Sequence, residues 1–198
     1  RHLIADTAHE LRTPLAALST QAEIAARSRH PEDTEKALQK LLTMAQTTNR
    51  LAEQFLAQAR LDTLQSCEAP CQTTVPLHQI AMVVARDLES SARRKQQRIT
   101  LLLEPCQVNG HMDALGVLLR NLLENALRYT QEQGRIEVVC RTTPEQRVEL
   151  SVADDGPGIP ESEYERIFER FYRLANTQVP GSGIGLSLVQ RIAHWHQA

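Results

Sequence analysis

The first 60 residues contain no glycine, and their apolar residues recur at alternating spacings of three and four. Ile4, Ala8, Leu11, Leu15, Leu18, Ala22 and Ala25 form a heptad seam, which predicts a long helix with a narrow apolar stripe. Pro31 cannot continue that helix, while Glu32 and Asp33 suit the N-terminus of a new one, so Ser28 to Asp33 reads as a turn. The second helix, about Pro31 to Leu61, carries two stripes: Leu41, Met44, Thr48, Leu51 and Phe55 on one, Leu42, Ala45, Ala52, Leu56 and Ala59 on the other. A lone hairpin leaves too much of this surface in water, and a second copy would bury it in a four-helix bundle. Residues 1–64 therefore read as a dimerisation hairpin.

The remaining chain is patterned differently. Residues 62–76 lose periodicity and contain Pro70 and Pro76, which predicts a linker at 65–76. Leu77 to Lys95 reads as a helix, Arg98 to Glu104 as a strand, and His111 to Tyr129 as a second helix. Arg135 to Arg141 and Arg147 to Ala153 read as a strand pair, and a last helix begins near Gly185. Residues 77–198 thus form an α/β sandwich with helices on one face of a sheet, and the chain as a whole is α+β.

Composition excludes several classes. With 198 residues, 41% hydrophobic and 23% charged, the chain is too apolar for disorder. A net charge of −2 rules out nucleic-acid binding driven by bulk charge. No apolar run approaches the ~20 residues of a membrane helix. Cys67, Cys71, Cys106 and Cys140 are too few and too scattered for a disulfide scaffold, which predicts a reducing environment. The chain opens at Arg1 and reads as an excised piece.

Four local features carry chemistry. His9 falls one position past the seam residue Ala8 and is turned outward; Glu10 follows it, and Thr13 shares its helical face. Pro14 removes an amide that would bond the Glu10 carbonyl, which predicts a loosened helix beside the histidine. An exposed imidazole beside a carboxylate is a candidate nucleophile with an acid–base partner, against the alternative of a surface histidine. On the helix ending at Tyr129, Asn121, Asn125 and Arg128 make a polar stripe. Aligned mid-helix asparagines cost stability, and their amide oxygens suit Mg²⁺ when phosphates supply the charge; the alternative is a solvated face. Arg128 could then meet a phosphate and Tyr129 stack on a base.

The other two features are loops. Asp154-Asp155-Gly156-Pro157-Gly158 follows a strand, and a carboxylate there can accept a hydrogen bond from adenine's exocyclic amine, although Asp-Gly also makes plain turns. Gly181-Ser-Gly183-Ile-Gly185-Leu186-Ser187 runs into a helix whose free amides could cradle phosphate. It lacks the Lys-Ser/Thr of a P-loop.

Taken in order, with Ile167-Phe-Glu-Arg-Phe171-Tyr-Arg173 between the glycine loops, these motifs resemble the sensor histidine kinases of bacterial two-component systems over most of the chain. The resemblance implies a homodimeric phosphoacceptor hairpin followed by an ATP-binding domain of the Bergerat (GHKL) type, with ATP and Mg²⁺ as cofactors and a response regulator as partner. It implies that His9 accepts the γ-phosphoryl group, that Glu10 assists proton transfer, and that Thr13 orients water when the partner is dephosphorylated. Asn121 and Asn125 match the Mg²⁺ site, Asp154 the adenine contact and Tyr129 the base-stacking position. Gly156, Gly158, Gly181, Gly183, Gly185, Leu186 and Ser187 match the nucleotide-binding glycine boxes, Arg128 and Arg173 basic positions near the phosphates, and 174–180 the ATP lid, with Pro180 at its hinge. Hydrolytic relatives of the same nucleotide fold place a Glu four residues before the metal-binding Asn; Asn121 stands there instead, which favours donation to His9.

The family's ATP-binding domain ends in two further strands after the last helix, and these are expected to be missing here. The sensory region and membrane spans are expected upstream, making this the cytoplasmic portion of an inner-membrane protein with no nucleic-acid partner. The competing reading is a catalytically weak, dimerising nucleotide-binding module that controls a partner. His194 and His196 read as a solvated helix end, Arg93-Arg94-Lys95 as a solvated helix terminus, and Cys67 with Cys71 lacks the second ligand pair of a zinc site.

Overall fold

A computed structural model describes residues 2–28, 30–65, 73–174 and 183–198, with the backbone alone for 2–12, 31, 47, 50–51, 53–58 and 60–65. The chain divides into two compact units, residues 1–59 and 60–198. In the first, α1 (His2–Arg27) and α2 (Pro31–Gln65) form the expected hairpin, with Glu32 and Asp33 in the first turn of α2. Helix α1 runs through Pro14, so the proline is absorbed without ending the helix. The hairpin closes on the first α2 stripe: Ala37 and Thr48 are buried, Leu41 and Met44 half-buried, and the Gln21 amide donates to the Ala37 carbonyl at 3.4 Å. The second stripe is only partly covered, with Leu42 at 60% exposure and Ala45 and Ala52 half-buried; Leu38 of α2 and Leu15 and Ile24 of α1 are exposed as well.

The second unit begins earlier than the sequence pattern indicates. Thr73–Pro76, expected within the linker, is a strand (β1) paired antiparallel with a second unanticipated strand, β3 (Gln107–Gly110). Four-residue strands offer too few alternations to register as a pattern, yet β1 buries Val75 completely. The main sheet has three strands in the order β2 (Arg98–Leu103), β4 (Arg135–Thr142), β5 (Val148–Asp154). Strand β2 runs parallel to β4, with Arg98 opposite Arg135, and β5 is antiparallel to β4. Ile136, Val138 and Cys140 alternate inward along β4. They meet α3 (Leu77–Arg94), through Ile80, Val84 and Leu88, and α4 (Met112–Tyr129), through Leu115, Leu119 and Leu123. Each fully buried leucine contributes about 2–3 kcal/mol.

Contacts distant in sequence correct three further expectations. Cys106 and Cys140, 34 residues apart, are joined by a disulfide, with Cα atoms 7.1 Å apart. The link ties the β2–β3 connection to the central strand, and among the described residues it makes Cys106 and Cys140 a pair instead of isolated thiols. Lys95 is not simply solvated: its Nζ donates to the carbonyls of Leu127 and Arg128 at 2.8 and 3.2 Å. The buried Gln97 amide donates to Leu127, Thr130 and Gln131, so the α3–β2 turn satisfies the orphan carbonyls at the end of α4.

His196 is not a solvated end either. It follows α5 (Gly185–Trp195), with Nδ1 2.8 Å from the Ile192 carbonyl and Nε2 accepting the His111 amide at 3.1 Å. A neutral ring with its proton on Nδ1 satisfies both contacts. Replacing His196 with leucine is expected to lower stability by about 1–3 kcal/mol through the unpaired His111 amide, measured as a reduced denaturant midpoint with unchanged slope.

Candidate functional site

A cleft of about 430 Å³ opens where the C-terminal half of α4, the end of β5, two short 3₁₀ turns (Glu161–Glu163 and Arg166–Phe168) and the start of α5 converge. It gathers Asn125, Tyr129, Asp154, Gly158, Arg173 and Leu186. Apolar side chains, among them Leu122, Val152 and Ile159, line the rest. Such a pocket suits a flat aromatic group held by a few directed polar contacts. A wider groove of about 690 Å³ lies between α3 and β2, lined in part by Met82, Val83 and Arg86, and contains none of the predicted binding residues.

The two adjacent aspartates are separated in function by local geometry. Asp155 serves the sheet: its Oδ1 accepts the Arg135 amide at 2.8 Å, and its own amide donates to the Arg135 carbonyl. Asp154 lines the cleft, with Oδ1 accepting the Gly156 amide at 2.9 Å, a turn that fixes the carboxylate plane. Gly156 permits this loop to approach α4, because a Cβ there would lie 2.6 Å from Asp154 Oδ1 and 3.2 Å from the Tyr129 carbonyl oxygen.

On α4, Asn121 is only 7% exposed, so the polar stripe is not a solvated helix face. The Asn121 Nδ2 donates to the Val117 carbonyl at 2.8 Å, which sets the amide's orientation. Asn125 follows one turn later at the cleft wall. Asn121, unlike Asn125, is not among the residues lining the cleft; neutral amide oxygens of this kind suit Mg²⁺ when a nucleotide's phosphates supply the charge. Arg128 lies beyond the cleft lining, and its carbonyl accepts from Lys95.

Within the second glycine box, Gly181 lies outside the described residues, as does nearly all of the expected lid (175–180) with its Pro180. Gly183 has φ 70°, and a Cβ there would come 2.5 Å from the Phe171 carbonyl carbon. Its carbonyl accepts the Phe171 amide at 2.9 Å, pinning this loop to the 167–173 segment. Gly185 opens α5, Leu186 reaches the cleft, and the Ser187 hydroxyl donates to the Ile184 carbonyl at 2.7 Å. Gly183→Ala combines left-handed backbone with backbone overlap. It is expected to cost about 1–3 kcal/mol at this joint, read as an ADP affinity about 5- to 150-fold weaker in a calorimetric titration.

His9, Glu10 and Thr13 belong to the other compact unit, on α1, where Thr13 is exposed. Tyr164, which lies outside the motifs, also lines the cleft, together with Ile167 and Tyr172 of the 167–173 motif. The only sequence signal for Tyr164 is its place in a highly charged stretch that also carries large apolar and aromatic residues.

Two families match this chain. Residues 1–64 match the His Kinase A (phospho-acceptor) domain, and residues 110–198 match the histidine kinase-, DNA gyrase B- and HSP90-like ATPase. The sensor protein QseC of Escherichia coli O157:H7 is 36% identical over 199 residues, covering 99% of this chain and 43% of QseC. The sensor protein kinase PmrB of Pseudomonas aeruginosa is 38% identical over 197 residues, covering 99% of this chain and 41% of PmrB. The chain thus spans about two fifths of the length of these curated relatives. Among solved structures, the mycobacterial sensor histidine kinase MprB superimposes with a TM-score of 0.55 at 32% identity, covering 64% of this chain and 80% of MprB's. A phosphoacceptor hairpin and a GHKL-type ATPase unit, matched in this order along one chain, make it a member of the sensor histidine kinase family.

Proposed function

We propose that this chain is the catalytic portion of an ATP-dependent protein-histidine kinase, in which His9 takes the γ-phosphoryl group of ATP and passes it to an aspartate of a response regulator. The observation that carries this reading is the cleft itself, where Asp154, Tyr129, Asn125 and Arg173 meet on a unit joined to a hairpin bearing His9. In the transfer, a ring nitrogen of His9 forms a bond to the γ-phosphorus. The bond to the bridging oxygen breaks, and its electron pair leaves with ADP. The proton on the other ring nitrogen passes to the Glu10 carboxylate. Asp154 accepts from the adenine amine, Tyr129 packs on the base, and Arg173 and the amides around Gly185 take up phosphate charge, with Arg128 a further basic group nearby. Asn121 and Asn125 would hold Mg²⁺, which supplies charge neutralisation at the phosphates. Thr13, one helical turn beyond His9, orients water for removing phosphate from the regulator.

The exposed leucines of the hairpin support a homodimer, since Leu15, Leu38 and Leu42 would be covered in a four-helix bundle with a second copy. Similarity to relatives named sensor proteins supports reading this chain as the cytoplasmic portion of an inner-membrane protein. Among the described residues, no helix is long and apolar enough to cross a membrane. The test is incubation with Mg-ATP labelled at the γ-phosphate. Protein-bound label that is lost in acid and stable in base is the expected outcome. Nucleotide binding without any such label would instead support the weak, dimerising nucleotide-binding module.

A further inference from the structure

Three side chains beside the cleft close on one another in a way that the motif pattern does not indicate. The Tyr172 hydroxyl donates to the Glu163 carboxylate. The Arg166 guanidinium lies over the Tyr172 ring, 4.3 Å from its centroid, and its Nη1 is 3.7 Å from the same Glu163 oxygen. Acid, phenol and cation are thus each in contact with the other two. The hydrogen bond to Glu163 is the main reason that the Tyr172 phenol holds its proton above the ordinary tyrosine range.

The backbone around this triangle is tied as well. The Glu169 amide donates to the Arg166 carbonyl and the Tyr172 amide to the Glu169 carbonyl. Phe171, with φ 65°, is pinned to Gly183 from the other side. Tyr172 is therefore the point at which the 3₁₀ segment grips the irregular segment carrying the next residue, Arg173, at the cleft wall. A ring that only filled space would need neither the carboxylate on its hydroxyl nor the guanidinium on its face. Cation–π contact and a charge-assisted hydrogen bond together restrict the ring to one orientation, and a restricted Cα at 172 fixes the direction in which 173 leaves the chain.

We infer that Tyr172, clamped between Glu163 and Arg166, is a positioning residue that aims Arg173 at the terminal phosphate of a bound nucleoside triphosphate. The inference rests on the kinase reading for the identity of the ligand, but its signature is in binding and does not require turnover. A guanidinium aimed at the third phosphate discriminates tri- from diphosphate, whereas a wall of the base pocket treats the two alike. Misplacing such a group by about an ångström costs up to about a hundredfold in the step that it serves.

The experiment compares, in the full chain with Mg²⁺, the affinities for ADP and for the β,γ-imido analogue of ATP. Glu163→Ala, outside the cleft lining, is expected to lower the preference for the triphosphate about tenfold while ADP affinity stays within about twofold, and Tyr172→Phe, which keeps the ring but loses the hydroxyl, is expected to lower that preference by a similar factor. Glu163→Gln, which still accepts the phenol proton, is expected to restore most of that preference. Equal losses for both nucleotides would make Tyr172 part of the base pocket and overturn the inference, as would three variants identical to the parent. A parent chain that prefers the triphosphate yet forms no phosphohistidine would overturn the kinase reading and leave the clamp standing. Binding of neither nucleotide would overturn both.

Discussion

His9→Gln is expected to reduce formation of acid-labile, base-stable phosphoprotein below detection, a loss of more than about a thousandfold, while leaving ADP affinity unchanged. Glutamine preserves helix propensity and polarity but offers no nucleophilic nitrogen, so the covalent product has nowhere to form. Nucleotide binding should survive because His9 lies in residues 1–59 and the cleft in residues 60–198, two separately compact units. The chain contains seven histidines, which makes the control informative. His78 and His196 are engaged through ring nitrogens with Cys106, His111 and Ile192. Label that persists in the variant would assign the acceptor to another histidine and refute the role of His9. Label lost together with ADP binding would show that the substitution had damaged the fold.

Asp154→Asn is expected to weaken ADP binding by about 10–100-fold and to shrink the preference for adenine over guanine nucleotides. A hydrogen bond to a charged acceptor is worth about 1.5–3 kcal/mol, and a guanine would present a carbonyl where adenine presents its amine. Asparagine keeps an oxygen for the Gly156 amide, so the turn that shapes the loop is retained and the lost interaction is the one made with the base. Parallel titrations with ADP and GDP read the two affinities. Asp155→Asn is the contrasting control, because Asp155 is bonded to the Arg135 backbone and its effect should appear in stability and not in base preference. Unchanged ADP affinity in the Asp154 variant would remove it from the adenine site.

The helices, most of the sheet and the order of the two units were legible in the sequence because long periodic segments leave a signal in every few residues. The seam of α1, the stripe Ile80-Ala81-Val84-Leu88 of α3 and the alternation Ile136-Val138-Cys140 of β4 each repeat the structure's own period. The same logic marked Asn121 and Asn125 as misplaced polar groups in a helix. It failed for β1 and β3, whose four residues each are paired by contacts more than thirty positions apart. Tyr164 was equally silent, since it sits in irregular backbone that has no period to read, and Tyr172 was marked only as a member of the 167–173 motif, with no cleft role.

The sequence alone determined which groups are available: a histidine with a neighbouring carboxylate, amides and a carboxylate suited to a magnesium nucleotide, and glycines where backbone must pass close. Only the tertiary structure decided how the groups divide their work. It committed Asp155 to the sheet and Asp154 to the cleft, turned Lys95 and Gln97 into caps for α4, used His196 to hold the His111 amide, and locked Tyr172 beside Arg173. The physical reason is one of range. Periodicity and backbone preference act between residues a few positions apart, whereas a hydrogen bond is selective only between atoms that the completed fold has brought within about 3 Å.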